Sequence, residues 1–126
     1  MYQEIVATGW KVHDVSALDM PGIQHFYHHL NSSPTQHKLL TAAFGLPFLL
    51  ARHKGRIAGF ASLVLDEQGN ISYKCYHEEL FAYFSENEWK EQLADAFQQQ
   101  CRLFTDAEQV ASGTAKLVAW LNRSLG

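Results

Sequence analysis

Only two cysteines, Cys75 and Cys101, occur in the chain, so neither a disulfide framework nor a Cys-rich metal motif can carry the fold. Both fall within apolar-periodic segments, which predicts small buried hydrophobes. No stretch approaches the roughly 18 consecutive apolar residues of a membrane span. Met1 to Lys11 holds Gln3 and Glu4 where a secretory leader needs a basic start and an apolar run, which predicts a cytoplasmic protein with no membrane partner. There is no basic run either. The net charge of −3 divides unevenly: residues 1–65 carry five Lys/Arg against three Asp/Glu, and residues 66–126 carry five against ten, so the halves are +2 and −5. An acidic second half without a basic patch is a poor partner for a phosphate backbone, and nucleic acid is not an expected ligand. No Gly-x-Ser-x-Gly elbow is present, and no catalytic residue is assigned. Internal repeats, low-complexity tracts and interdomain linkers are also missing.

What is present is a globular composition, 47% hydrophobic and 18% charged, in 126 residues. That is the size of one domain, residues 1–126, with a packed core. Gly9 to Val15 reads as a strand. Ser16 with Asp19, then Pro21, marks a helix start, and Ile23, Phe26, Tyr27 and Leu30 form its buried stripe, leaving His25, His28 and His29 on the other side. A second helix is expected from Ser33-Pro34 through Leu39, Leu40 and Ala43, stopping at Gly45 before Pro47. Phe48 to Lys54, Gly55 and Arg56 to Leu65 form a hairpin whose second arm, IAGFASLVL, is apolar on both alternating faces, as a strand covered from both sides should be. Asp66 to Asn70 returns the chain into a half-exposed strand, Ile71 to His77. Two capping patterns, Ser85 with Glu88 and Thr105 with Glu108, then start a helical hairpin. Trp89, Leu93, Ala96, Phe97 and Gln100 define one buried arc, and Val110, Ala111, Leu117, Val118, Leu121 and Leu125 the other.

Three groups of side chains invite a functional reading. His25, His28 and His29 have helical spacings that bring two imidazoles together, but no carboxylate or thiol completes a metal set of three or four ligands, and a solvated helix face is the expectation. Tyr73, Tyr76, Phe81, Tyr83, Phe84 and Trp89 form the densest aromatic stretch. Of these, Tyr73, Tyr76, Phe81, Tyr83 and Trp89 are the candidate ligand or partner surface, weighed against simple packing of helices onto the sheet. Arg52, His53, Lys54 and Arg56 cluster at the hairpin turn and read as a soluble loop, while Trp120 lies at the flank of its helix's buried arc.

The stretches VHDVSALDMPGIQHFYHHLNSSPTQHKLLTAAFG and FLLARHKGRIAGFASLVLDEQGNISY together resemble the amino-terminal half of the GNAT acetyltransferase family in element order, over roughly residues 9–77. The resemblance implies strand, two helices, then an antiparallel pair. In that family the fourth strand leads into an Arg/Gln-x-x-Gly-x-Gly/Ala loop whose amides hold the pyrophosphate of acetyl-CoA, because only glycine lets several N–H groups approach phosphate oxygens. Here that strand is followed by HEELFAYFSENEW, and no glycine occurs between Gly69 and Gly113. Glu78, Glu79, Glu86 and Glu88 add negative charge at the same place. The family's later strands have no counterpart in the helical tail. The expected fold is therefore α+β: a strand, two helices, an antiparallel three-stranded meander-like sheet region and a carboxy-terminal helical hairpin, a GNAT-like half fold. The expected function is noncatalytic binding of a protein partner or small molecule, with no cofactor and no metal. The alternative is an acyl-CoA-dependent N-acyltransferase with an atypical donor site. If Ile71 to His77 ends the sheet, its open edge predicts a homodimer.

Overall fold

The computed structural model describes residues 4–5, 10–30, 39–77 and 86–125. A two-residue strand, β1 (Glu4–Ile5), precedes β2 (Trp10–Asp14). Beyond β2 the Ser16 N–H and hydroxyl both donate to Asp19 Oδ2, at 2.9 and 3.1 Å, and turn the chain through a 3₁₀ turn, Ala17–Asp19. Helix α1 (Met20–Leu30) follows, with Pro21 in the first turn, where a missing N–H costs nothing. Of its expected apolar stripe Ile23 and Phe26 are buried and Tyr27 and Leu30 half-buried, and His25 and His29 are exposed. His28 is not on the solvated side; it is half-buried, its ring edge-on to Tyr27 at 5.9 Å.

The second helix expected up to Gly45 is not formed over its described part, and its expected start at Ser33-Pro34 lies outside the described residues. Residues 39–41 are not helical and only Ala42–Phe44 makes a 3₁₀ turn. The cause is competition for backbone groups. Asn122, 82 residues away, accepts the Leu40 N–H at 2.8 Å and donates to the Leu40 carbonyl at 3.1 Å, so Leu40 has no need of helical partners. Thr41 then caps the short turn by accepting the Ala43 N–H at 3.3 Å.

Strands β3 (Leu46–His53), β4 (Arg56–Leu65) and β5 (Ile71–His77) are the expected meander. β2 adds to β3, with Trp10 opposite His53 and Asp14 opposite Leu49, and β1 adds to β2. The result is one antiparallel sheet in the order β1-β2-β3-β4-β5. The β3–β4 turn has positive φ at both Lys54 (51°) and Gly55 (83°), the twist that a two-residue hairpin demands. Pro47 lies at a register shift against β4, where the lost N–H leaves no gap in a regular ladder. In the next turn Asp66 Oδ1 accepts the N–H groups of Gln68 and Asn70 at 3.0 and 2.9 Å.

β4 is covered on both faces, as its sequence predicts. On one, Ala58, Ala61 and Leu63 meet Trp89, Leu93 and Ala96 of α2 (Glu86–Leu103); on the other, Phe60 meets Ile23, Phe26 and Phe44. Helix α3 (Ala107–Leu125) joins the two layers, with Val110 in the first cluster and Leu117, Val118 and Leu121 in the second. Its start lies one residue later than the Thr105–Glu108 pattern predicts. Asp106 Oδ1 accepts the Gln109 N–H at 2.9 Å, and Gln109 Oε1 reaches back to the Thr105 N–H at 2.8 Å. Aspartate caps as well as threonine, and Gln109 supplies the return bond that Glu108 was expected to make. Ser85 of the earlier pattern lies outside the described residues. Two further expectations are corrected: Ala111 is exposed, and Cys101 is an exposed thiol on α2, while Cys75 is half-buried. No helix among the described residues is long and apolar enough to cross a membrane.

Gly45 closes the Ala42–Phe44 turn with φ 72° and ψ −158°, a region open essentially to glycine alone. A Cβ there would sit 2.3 Å from the Leu63 carbonyl oxygen, whereas Gly55 (φ 83°) has nothing within 4 Å of such an atom. Gly45→Ala is expected to cost about 3 kcal/mol, strain plus clash, and Gly55→Ala about 1 kcal/mol from the backbone conformation alone. Urea unfolding of the two variants checks the difference.

Candidate functional site

The alternation of β5 decides what its aromatic residues can do together. Ile71, Tyr73 and Cys75 face α2, and Ser72, Lys74 and Tyr76 face α1, because successive side chains leave a strand on opposite sides. The Tyr73 ring meets Phe97 of α2 edge-on at 5.0 Å. Tyr76 stacks on Phe60 at 4.9 Å and 24°, meets Tyr27 edge-on at 5.2 Å, and donates its hydroxyl to the Ala43 carbonyl at 3.1 Å. Lys74 Nζ lies 5.3 Å from the centre of the same ring. Trp89 is buried on the α2 side. Of the candidate surface, then, Tyr73 and Trp89 lie on one side of the sheet and Tyr76 on the other. Phe81 and Tyr83 lie outside the described residues, as does Phe84. The described members form no common pocket: Trp89 and Tyr76 pack layers, and Tyr73 stands exposed beside Phe97.

Burial governs the ionisation of both groups along β5. It pushes the Cys75 thiol up, only partly countered by a hydrogen bond with Trp89, so this sulfur is held protonated. It also pushes the Tyr76 phenol up to about 12, assisted by the neighbouring Tyr27. Neither group is prepared for nucleophilic or general-base chemistry near neutral pH. Among the described residues no group of three or more His, Cys, Asp or Glu side chains could hold a metal ion.

A cavity of about 650 Å³ opens elsewhere, between α3, the Ala42–Phe44 turn and the end of β4. Its walls are chiefly Ala42, Ala43, Ala111, Ala115 and Ala119 with aliphatic neighbours such as Val64 and Val118. Thr114 and Asn122 are its polar side chains among the described residues, and Asn122 is committed at both ends to Leu40. None of these lining side chains titrates. Such a groove can hold apolar matter by shape and surface, and offers no acid–base pair.

Sequence reading missed this groove because its wall is made of what is small. Ala111, Ala115 and Ala119 recur every four residues beside the Val110–Leu121 stripe, and that repeat was the available signal. No protein-family model, curated protein or solved structure matches the chain.

Because the folded state raises the Tyr76 pKa above its unfolded value near 10, it favours the neutral phenol. The stability this confers is complete below about pH 10 and is lost as pH rises towards 12. Tyr76→Phe also removes the bond to Ala43 and is expected to cost about 1 kcal/mol at neutral pH. Ultraviolet phenolate titration should show a late-titrating component that is missing from the variant.

Proposed function

We propose that this chain is a noncatalytic, cytoplasmic binding module on a GNAT-like half fold, and that the groove beside α3 holds an apolar small molecule of aliphatic character. The groove itself carries the reading. Its volume of about 650 Å³ falls in the range of small-ligand sites. Its alanine walls leave width for a chain rather than filling it, and Asn122 is already satisfied by Leu40. A strongly polar ligand entering there would find few partners beyond the Thr114 hydroxyl to replace its water bonds. The GNAT-like part of the reading is supported by the order β2, α1, then the antiparallel β3–β4–β5 run, although the second helix of that pattern is not formed over its described part.

A homodimer belongs to the same reading. β5 is the outer strand, and among the described residues nothing pairs with its far edge. Open edges invite pairing with another chain. Lys74 is the middle residue of the strand, so two-fold pairing centred on it would set like charges opposite each other. The register of the dimer is therefore offset from that centre.

Titration with the neutral fluorophore N-phenylnaphthylamine, displaced by dodecanol, tests the groove. Saturable uptake is expected, weakened at least about tenfold by Ala115→Trp, which fills the channel from an exposed position, with the far-ultraviolet spectrum unchanged. Equal uptake by the variant, or none by either protein, removes the groove as the site. Thermal stabilisation by acetyl-CoA but not by dodecanol overturns the reading in favour of an acyltransferase with an atypical donor site. Light scattering should return twice the 14.3 kDa mass of one chain, and the single mass at working concentration removes the dimer.

A further inference from the structure

A second cavity, of about 410 Å³, lies between α1 and the start of β4, and its lining is of a different chemistry. His25 and His29, one helical turn apart on α1, share it with Arg56 from the hairpin; Gly22, Phe26 and Ile57 supply the remaining wall. None of the three basic side chains is tied to a hydrogen-bond or ion-pair partner among the described residues. Arg52, on the same hairpin, differs in this respect: it is bound to Asp19 at 3.1 Å. That contact also occupies the carboxylate at the start of α1, which Ser16 bonds as well.

The sequence around this cavity is one-sided. Between Asp19 and Asp66 there is no aspartate or glutamate, although the chain has 13. α1 and the whole β3–β4 hairpin fall inside that interval, so no acidic side chain from either element can neutralise Arg56. The acid-free interval is thus folded into the walls of a concave site. A guanidinium offers a planar fork of donors that matches carboxylate or phosphate oxygens. Each imidazole adds an N–H donor even when neutral. The same Arg56 repels a divalent cation, and two imidazoles fall short of a metal's usual ligand count. Phe26 and Ile57 line the cavity with apolar surface for the body that carries the anion.

We propose that this cavity binds a small organic oxyanion, a carboxylate or phosphate on a compact apolar or aromatic body, held by Arg56, His25 and His29. It shares no described lining residue with the groove beside α3, and it stands or falls separately from the function proposed for that groove.

Calorimetric titration of the full chain with phenyl phosphate and with benzoate, each against neutral benzyl alcohol, tests the site. Saturable binding of at least one anion is expected, absent for the alcohol and weakened by added salt. Arg56→Ala and the double variant His25→Ala/His29→Ala should each weaken it at least about tenfold, with unchanged circular dichroism. Lys54→Ala, a cation on the same turn but outside the cavity, should leave it unaltered, and so should Ala115→Trp. Phosphate binding without benzoate binding, or the reverse, identifies the oxyanion. Failure of both anions to bind, equal binding of the alcohol, or equal weakening by Lys54→Ala and Arg56→Ala overturns the proposal, as does stoichiometric zinc uptake that depends on His25 and His29.

Discussion

Phe60, Ala61, Ser62 and Leu63 are fully buried on a strand whose side chains alternate between two layers, so β4 can persist only where both of its faces are covered. Phe60 requires α1 and the turn before β3; Ala61 and Leu63 require α2. Burial of a single large apolar side chain contributes roughly 1.5–3 kcal/mol, comparable to a sizeable share of a small domain's net stability. Uncovering either layer would remove several such contributions together. The meander on its own would be a sheet with two apolar faces, so the helices before and after it are part of its stability. The placement of Tyr73 and Tyr76 on opposite layers follows from the same constraint, because β5 continues the alternation of β4 in unbroken register from Gly59–His77 to Leu65–Ile71.

The second organising contact is the clamp of Asn122 on Leu40. A side-chain amide that accepts from the N–H and donates to the C=O of one residue replaces two backbone bonds, and it does so between segments 82 residues apart. It keeps residues 39–41 out of a helix and holds the Ala42–Phe44 turn beside α3. One wall of the groove is thereby made from a segment that local propensity would have wound into something else. Gly45 completes the arrangement by letting the backbone pass against the Leu63 carbonyl, where no side chain fits.

Features set by neighbouring residues were legible in the sequence. The Ser16–Asp19 bonds, the hairpin turning at Gly55, the two-faced apolar pattern of β4 and the buried arc of α2 all depend on spacings of a few residues, and the structure contains each of them, with Lys54 joining Gly55 in the turn. What failed depended on distant partners. The helix expected through Leu39 and Leu40 had acceptable local signals, but its backbone groups are claimed by α3. Within the aromatic stretch, strand alternation sends Tyr73 and Tyr76 to opposite layers, while Phe81 and Tyr83 lie outside the described residues. The start of α3 was displaced by one residue because Thr105-x-x-Glu and Asp106-x-x-Gln are equivalent as patterns, and only the bonds to Gln109 decide between them. The groove was invisible for a different reason: apolar periodicity finds side chains that fill space, and alanine marks where space is left.

The open groove and the tight packing of α3 are two results of one helix position. Gly113 lets α3 approach the start of β3 so closely that a Cβ would lie 3.1 Å from Leu46 Cδ1. Val110 and Leu121 anchor the helix into both layers on either side of that point. With three fixed contacts the helix axis has little freedom, so it cannot roll to bury the row of alanines beside them. Larger side chains at Ala111, Ala115 and Ala119 would fill the space against Val64 and the Ala42–Phe44 turn and convert the groove into core. Shape here is set by the difference in side-chain size between adjacent faces of α3, with no strain or special backbone geometry in the helix required to keep the cavity open.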